Sequence, residues 1–321
     1  MNSDTSKIHL LTSGSLLPSD PRNSLKRYLR RKSLIRSSGP DEVENSITKL
    51  KNRIVILDRH SKVPTDPVKL LILRDFLFQL PENWSKLHED SRILIGPNIE
   101  LTDLRNMNEL KKFKNAKFLL PSKWPSQVIA DHTKIDLQDM FVWPCGVDTE
   151  YWKPKGQTTK DNVLLYLKDT TQSQDLKRIA ESLANQLIPT RIIRYGSYTN
   201  REYRKELLRA TSLIYFGDTE SQGLAQFQSW AMDVPTLVVR KQEFNFRGKT
   251  YNSTSSPYIS AETGMLTMNS IISNYDLVDF RNKSKLMSPR KWIIENATLE
   301  KSFESLEMLF RRFGSPSSQE S

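Results

Sequence analysis

A chain of 321 residues, 37% hydrophobic and 26% charged, has room for one large domain or two ordinary ones and is not a disordered composition. No apolar run approaches the roughly 20 residues of a membrane-spanning helix, and the opening MNSDTSKIHLLTSG lacks the basic start and long apolar stretch of a signal peptide. The single cysteine, Cys145, excludes an internal disulfide and suits a reducing cytoplasm; with only four histidines, spaced far apart, no dedicated transition-metal site is expected, and no motif calls for a cofactor.

The first strand pattern is residues 8–11, followed by the loop Thr12-Ser13-Gly14-Ser15. Between Arg22 and Arg36 the chain reads RNSLKRYLRRKSLIR, seven basic residues and no acid, with Leu25, Tyr28, Leu29, Leu34 and Ile35 near helical spacing. With Lys111, Lys112, Lys114 and Lys117 it contributes to a net charge of +11. Such a face is either solvated surface or attracted to an anionic membrane, which would place a cytoplasmic protein peripherally at the membrane. Aromatic residues are not interleaved with the charges and no nucleic-acid signature is present, so no specific nucleic acid is expected.

Further strand patterns fall at 53–57, 92–95, 117–120 and 140–143, then at 162–167, 190–194, 212–216 and 235–239. Helical patterns lie between them at 173–187, 201–210 and 223–232. Strands alternating with helices of this length indicate an α/β chain with parallel sheets. The segment PCGVDTEYWKPKGQTTKD, residues 144–161, holds two prolines and two glycines and splits the chain into halves of similar size. The expected domains are 1–145 and 155–289, with a helix at 290–313 returning to the first; the tail 314–321, GSPSSQES, is expected to be disordered.

The stretch GDTESQGLAQFQSWAMDVPTLVV, residues 217–239, carries the chemistry. A buried-strand pattern, residues 212–216, runs into a turn, and a helix follows with Leu224, Phe227, Trp230 and Ala231 on one side. Ligands of open α/β sheets bind at the carboxyl ends of strands, and a helix start there offers free N–H groups to a phosphate. Gly223 lets a backbone approach a ligand closely. Glu220 has acceptors for sugar hydroxyls, and Gln228 lies one helical turn beyond Leu224. Each also has a plainer reading: a turn glycine, a solvated loop acid whose removal leaves the fold intact, and a surface helix residue.

This stretch resembles the nucleotide-sugar site of the GT-B glycosyltransferases, family 4 of the retaining enzymes, whose pattern has two glutamates eight positions apart around a glycine, then a small residue and a proline-led strand. Glu220, Gly223, Ala231 and Pro235 match it. The segment FVWPCGVDTEYWKP, residues 141–154, resembles the family's interdomain PNGVDxxxFxP. Residues 195–198, YGSY, resemble the element before the donor site, and residues 288–296, SPRKWIIEN, the closing helices that pack back across the cleft. The similarity covers roughly residues 115–310.

The resemblance implies two Rossmann-like domains with parallel sheets facing a central cleft. It implies a retaining, metal-independent transfer of a sugar from a nucleotide-diphosphate donor to a glycan, lipid or small-molecule acceptor. Glu220 and Lys168 take catalytic positions; Gly196, Ser221, Gln222, Gly223, Leu224 and Gln228 bind the donor; Ser13, Gly14, His60 and Asn98 fall on the acceptor side. Two positions depart from the pattern. Gln228 stands where the family has its second glutamate, and Gln174 where a second lysine is usual, with Lys177 nearby. These departures leave open an alternative, a glycosyltransferase-like binding or assembly protein that has lost activity.

Overall fold

The computed structural model of the protein describes residues 7–11, 39–50, 52–57, 61–73, 86–101, 104, 107, 115–156, 159–168, 173–269 and 271–312. The described residues of 1–27, 43–145 and 300–321 form one compact unit, and those of 28–42 and 146–299 form another.

The first unit is built on six parallel strands: β1 (Ile8–Leu11), β2 (Ile54–Leu57), β3 (Lys69–Ile72), β4 (Arg92–Ile95), β5 (Ala116–Leu120) and β6 (Met140–Val142). They lie in the order β2-β1-β3-β4-β5-β6. Leu10, Leu71, Leu94 and Leu119 are fully buried on the central strands. Runs of buried aliphatic residues without alternation mark a parallel sheet covered on both faces. Helix α1 (Gly39–Thr48) contributes its residues from Val43 onward to this unit, and α2 (Pro125–His132) lies between β5 and β6.

Sequence patterning misses β3. Its run VKLLIL continues into RDFLFQL with no glycine or proline between, so no turn signal isolates a strand. Yet β3 pairs with both β1 and β4, in the register Leu10↔Leu71 and Leu71↔Leu94, and without it the sheet would not be continuous.

The second unit has five parallel strands: β7 (Asn162–Leu167), β8 (Thr190–Arg194), β9 (Ala210–Phe216), β10 (Thr236–Val238) and β13 (Gly264–Leu266), in the order β13-β10-β9-β7-β8. An antiparallel hairpin, β11 (Glu243–Phe246) and β12 (Lys249–Asn252), interrupts the last crossover. The helices are α3 (Ser173–Asn185), α4 (Asn200–Arg209), α5 (Leu224–Ala231), α6 (Asn274–Lys283) and α7 (Pro289–Asn296). One core packs α5 and α7 on β7 and β9 through Tyr166, Tyr215, Phe227, Trp230 and Ile293. The other lies on the opposite face, with α3 and α6 contributing Ile179, Leu183, Leu277 and Phe280.

The helical pattern at 290–313 is two helices, not one. A break at Ala297–Thr298 separates α7 from α8 (Leu299–Arg312). There the Ala297 carbonyl accepts from Val147 N–H at 2.9 Å, and Val147 pairs with Thr298 as an isolated parallel bridge. The segment SPRKWIIEN therefore packs within the second unit. Trp292 meets Phe227 and Trp230 edge-on, at 5.8 and 5.5 Å between ring centres. Arg290 donates to the carbonyls of Trp152 and Ala231 at 3.0 and 2.5 Å.

Residues of α8 from Glu300 onward belong to the first unit. Phe303, Leu306 and Phe310 are buried. Arg53 pairs with Glu307 at 2.7 Å and lies over the Phe303 ring at 4.2 Å. Trp143 Nε1 donates to the Ser302 carbonyl at 2.8 Å, and Arg92 to the Phe310 carbonyl at 2.9 Å. Among the described residues no helix is long and apolar enough to cross a membrane.

Candidate active site

The strand order of the second unit reverses between β7 and β9. From β7 the chain crosses to β8 on one side, and it then returns to β9 on the other. Open α/β sheets bind ligands beyond the carboxyl ends of strands at such a switch point. The residues that emerge there are Lys168 after β7, Tyr195 and Gly196 after β8, and residues 217–223 after β9.

Lys168 and Glu220 meet across the switch. The Lys168 N–H donates to the Phe216 carbonyl at 2.7 Å, carrying the β7–β9 pairing one residue past the strand. Its Nζ lies 2.6 Å from Glu220 Oε1 and 5.4 Å from the centre of the Tyr195 ring. Glu220 is only 7% exposed, so it is not the solvated loop acid of the plainer reading. Its removal is expected to cost stability, because Tyr215, itself buried, donates its hydroxyl to the same carboxylate oxygen. Glu220 N–H donates to the Thr254 carbonyl at 2.8 Å, which fixes the backbone of the loop.

The Tyr215 hydroxyl belongs to an aromatic group beneath the loop. The rings of Tyr166 and Tyr215 stack at 5.0 Å with 13° between planes, and the Tyr166 and Tyr198 hydroxyls are 2.6 Å apart. Burial, then the nearby Glu220 charge, raises the Tyr215 hydroxyl well above its ordinary range, and burial does the same for Tyr203. Tyr215 is thus a neutral donor to Glu220 at any working pH. Gly217 makes room for it: a Cβ there would sit 2.6 Å from the Tyr215 ring. Nothing in the spacing of the sequence signals this tyrosine group, since its members read as strand and helix core residues.

Gly223 closes the loop in the left-handed region, at φ 82° and ψ 55°, as the residue before α5. An L side chain would be strained there. Gln226, fully buried, holds the turn against residues 254–256. Its Nε2 donates to the Ser255 carbonyl at 2.9 Å, and its Oε1 accepts from Ser256 Oγ at 2.5 Å. This clamp from the segment after the hairpin is a second feature absent from the sequence reading. The run Ser253-Thr254-Ser255-Ser256 carries no hydrophobic periodicity that would mark it.

The structure matches solved proteins along nearly its whole length. HepE from Anabaena, solved in complex with UDP and glucose, superposes with a TM-score of 0.55 at 8% identity, over 95% of this chain and 99% of that one. The catalytic domain of starch synthase IV from Arabidopsis thaliana, bound to ADP and acarbose, gives 0.57 at 8% identity over 96% and 99%. A sucrose-phosphate synthase from Thermosynechococcus elongatus gives 0.51 at 12% identity over 96% and 98%. No protein-family model and no curated protein matches the sequence. The fold is GT-B.

Within this GT-B chain the assigned residues separate by position. Glu220, Lys168, Gly196, Ser221, Gln222, Gly223 and Leu224 all lie on the carboxyl edge of the second sheet or at the start of α5. Gln222 is buried and Ser221 exposed; Gly196 is exposed at φ 73°. Gln228 is 6% exposed rather than a surface helix residue, and its side-chain amide has no hydrogen-bond partner among the described residues. Gln174 is exposed at the start of α3, and Lys177 pairs with Glu181 at 3.9 Å, not with the Glu220 carboxylate. Asn98 belongs to the first unit, half-buried in the turn after β4. Ser13, Gly14, His60 and the basic stretch from Arg22 to Arg36 lie outside the described residues.

Proposed function

We propose that the protein is a glycosyltransferase that takes a sugar from a nucleotide-diphosphate donor held at the carboxyl edge of the second sheet. The observation that carries this is the Lys168–Glu220 pair, 2.6 Å apart at the β7–β9 switch point beside the start of α5. Lys168 is one-third exposed, so its ammonium can turn to a diphosphate while Glu220 takes up sugar hydroxyls. The N-terminus of α5 adds its unpaired N–H groups and positive dipole end to the same place. Charge developing on the leaving diphosphate is thereby met by fixed positive groups, so this reading asks for no metal. Retention is the stereochemical outcome it carries with it. The acceptor is a glycan, lipid or small molecule.

A panel of nucleotide sugars tests it by thermal stabilisation, since a donor at 100 times its dissociation constant adds about 2.7 kcal/mol. Lys168→Met is expected to weaken binding of the stabilising donor roughly 10- to 100-fold, the loss of one charge-assisted contact. A panel in which no nucleotide sugar stabilises the protein rules the reading out.

Gln228 sets a further expectation. Its amide has no hydrogen-bond partner among the described residues although the residue is 6% exposed, as befits a group that meets a ligand hydroxyl. A carboxylate there accepts from both ribose hydroxyls but, without donor, is largely desolvated with no partner among the described residues. Gln228→Glu is therefore expected to lower the melting temperature without donor and to tighten donor binding. Calorimetry at fixed pH and salt decides; an unchanged or weaker dissociation constant would place Gln228 away from the ribose.

A further inference from the structure

The second unit has a cavity of about 820 Å³ at the opposite edge of its sheet, beyond the amino ends of β7, β8 and β9. It is a strand length, roughly 20 Å, from the carboxyl edge. Leu183, Ile188, Leu277 and Phe280 supply apolar wall. Its size falls within the ~300–1,000 Å³ of small-molecule sites.

Two features of its rim are not explained by folding. Leu187 ends α3 in a Schellman turn, in which the Ile188 N–H donates to the Leu183 carbonyl at 3.0 Å and the Leu187 N–H to the Ala184 carbonyl at 2.9 Å. That places Leu187 at the left-handed position after the helix, φ 57°, where glycine is usual. A leucine is strained there, and it is 90% exposed, so its side chain adds nothing to the core. Val278, on α6, is 57% exposed at the same cavity. The second feature is charge. Arg281 and Lys285 line the rim, and neither has an ion-pair partner among the described residues. The lone acid of the lining, Asp161, is paired with Arg209 at 2.7 Å.

We infer that this cavity binds an amphipathic anion, an alkyl or acyl chain against Leu183, Ile188 and Leu187 with its phosphate or carboxylate on Arg281 and Lys285. A single half-open volume suits one chain better than a bound helix, which needs a row of anchor pockets. The site is separate from the donor site and does not depend on the activity proposed there.

Octyl, decyl and dodecyl phosphate, each below its micelle concentration, test this by calorimetry on the full chain. Affinity is expected to rise up to about fourfold per added methylene. Arg281→Ala with Lys285→Ala should lower dodecyl phosphate affinity at least about tenfold. Leu187→Gly is the decisive variant. Glycine relieves the backbone, so the melting temperature should hold or rise while affinity falls about fivefold. Inorganic phosphate binding as tightly as dodecyl phosphate, or unchanged affinity in Leu187→Gly, would overturn the site. So would an acidic amphipathic peptide that displaces dodecyl phosphate when affinity shows no dependence on chain length. Cosedimentation with phosphatidylglycerol vesicles, lost in the double variant, would identify the source as a membrane; binding of the alkyl phosphates alone identifies a free lipid anion.

Discussion

Glu220→Gln is expected to leave the protein folded and to lower sugar transfer by roughly 10- to 150-fold, the loss of charge-assisted hydrogen bonds. Glutamine keeps the size of the side chain and an oxygen for the buried Tyr215 hydroxyl, but it cannot neutralise Lys168. Glu220→Ala is harsher. It strands the Tyr215 hydroxyl inside the protein, which costs about 1–3 kcal/mol of stability in addition to activity. Parallel melting curves and turnover measurements separate the two effects. Full turnover in Glu220→Gln would show that the loop after β9 does not hold the reacting sugar.

Trp230→Ala should give the largest stability loss, about 3–5 kcal/mol, or a fall in melting temperature on the order of 10 °C. The side chain is fully buried and lies 5.4 Å from Phe227 and 5.5 Å from Trp292 between ring centres. Its Nε1 donates to Thr236 Oγ1 at 3.0 Å. Truncation opens a cavity between α5, α7 and β10 and leaves the Thr236 hydroxyl with Ser229 alone. Trp230→Phe should recover most of the packing but not the hydrogen bond. A loss below about 1 kcal/mol in the alanine variant would mean that α5 is not anchored by this contact.

What the sequence makes legible depends on how local the physics is. Strands β7, β9 and β10 are short apolar runs bounded by polar or turn residues, and the helices between them show clean periodicity, so the second sheet is readable apart from β13. That strand is three residues beginning at Gly264, too short and too glycine-marked to stand out. The β11–β12 hairpin escapes notice because Arg247, at φ 48°, shares its turn with Gly248 where asparagine or aspartate is the usual signal. The break between α7 and α8 has no proline or glycine; it follows from Val147 pairing some 150 residues earlier in the chain. At the site, Glu220 stands out in the turn after a buried-strand pattern, whereas Lys168 is pointed to only by the family resemblance. Their direct pairing, the Tyr215 hydroxyl beneath them and the Gln226 clamp are tertiary events that no window of sequence contains.

The placement of α8 has a consequence for synthesis. An emerging chain delivers every strand of the first sheet before residue 146, yet the helix that buries Phe303, Leu306 and Phe310 in that unit is not made until the second unit is complete. Until then Trp143 Nε1 lacks the Ser302 carbonyl, and Arg53 lacks Glu307. Domains ordinarily fold in the order in which they leave the ribosome. Here the unit translated first is the one finished last, so a nascent chain is expected to pass through a stage in which its amino-terminal half exposes the apolar surface that α8 later covers.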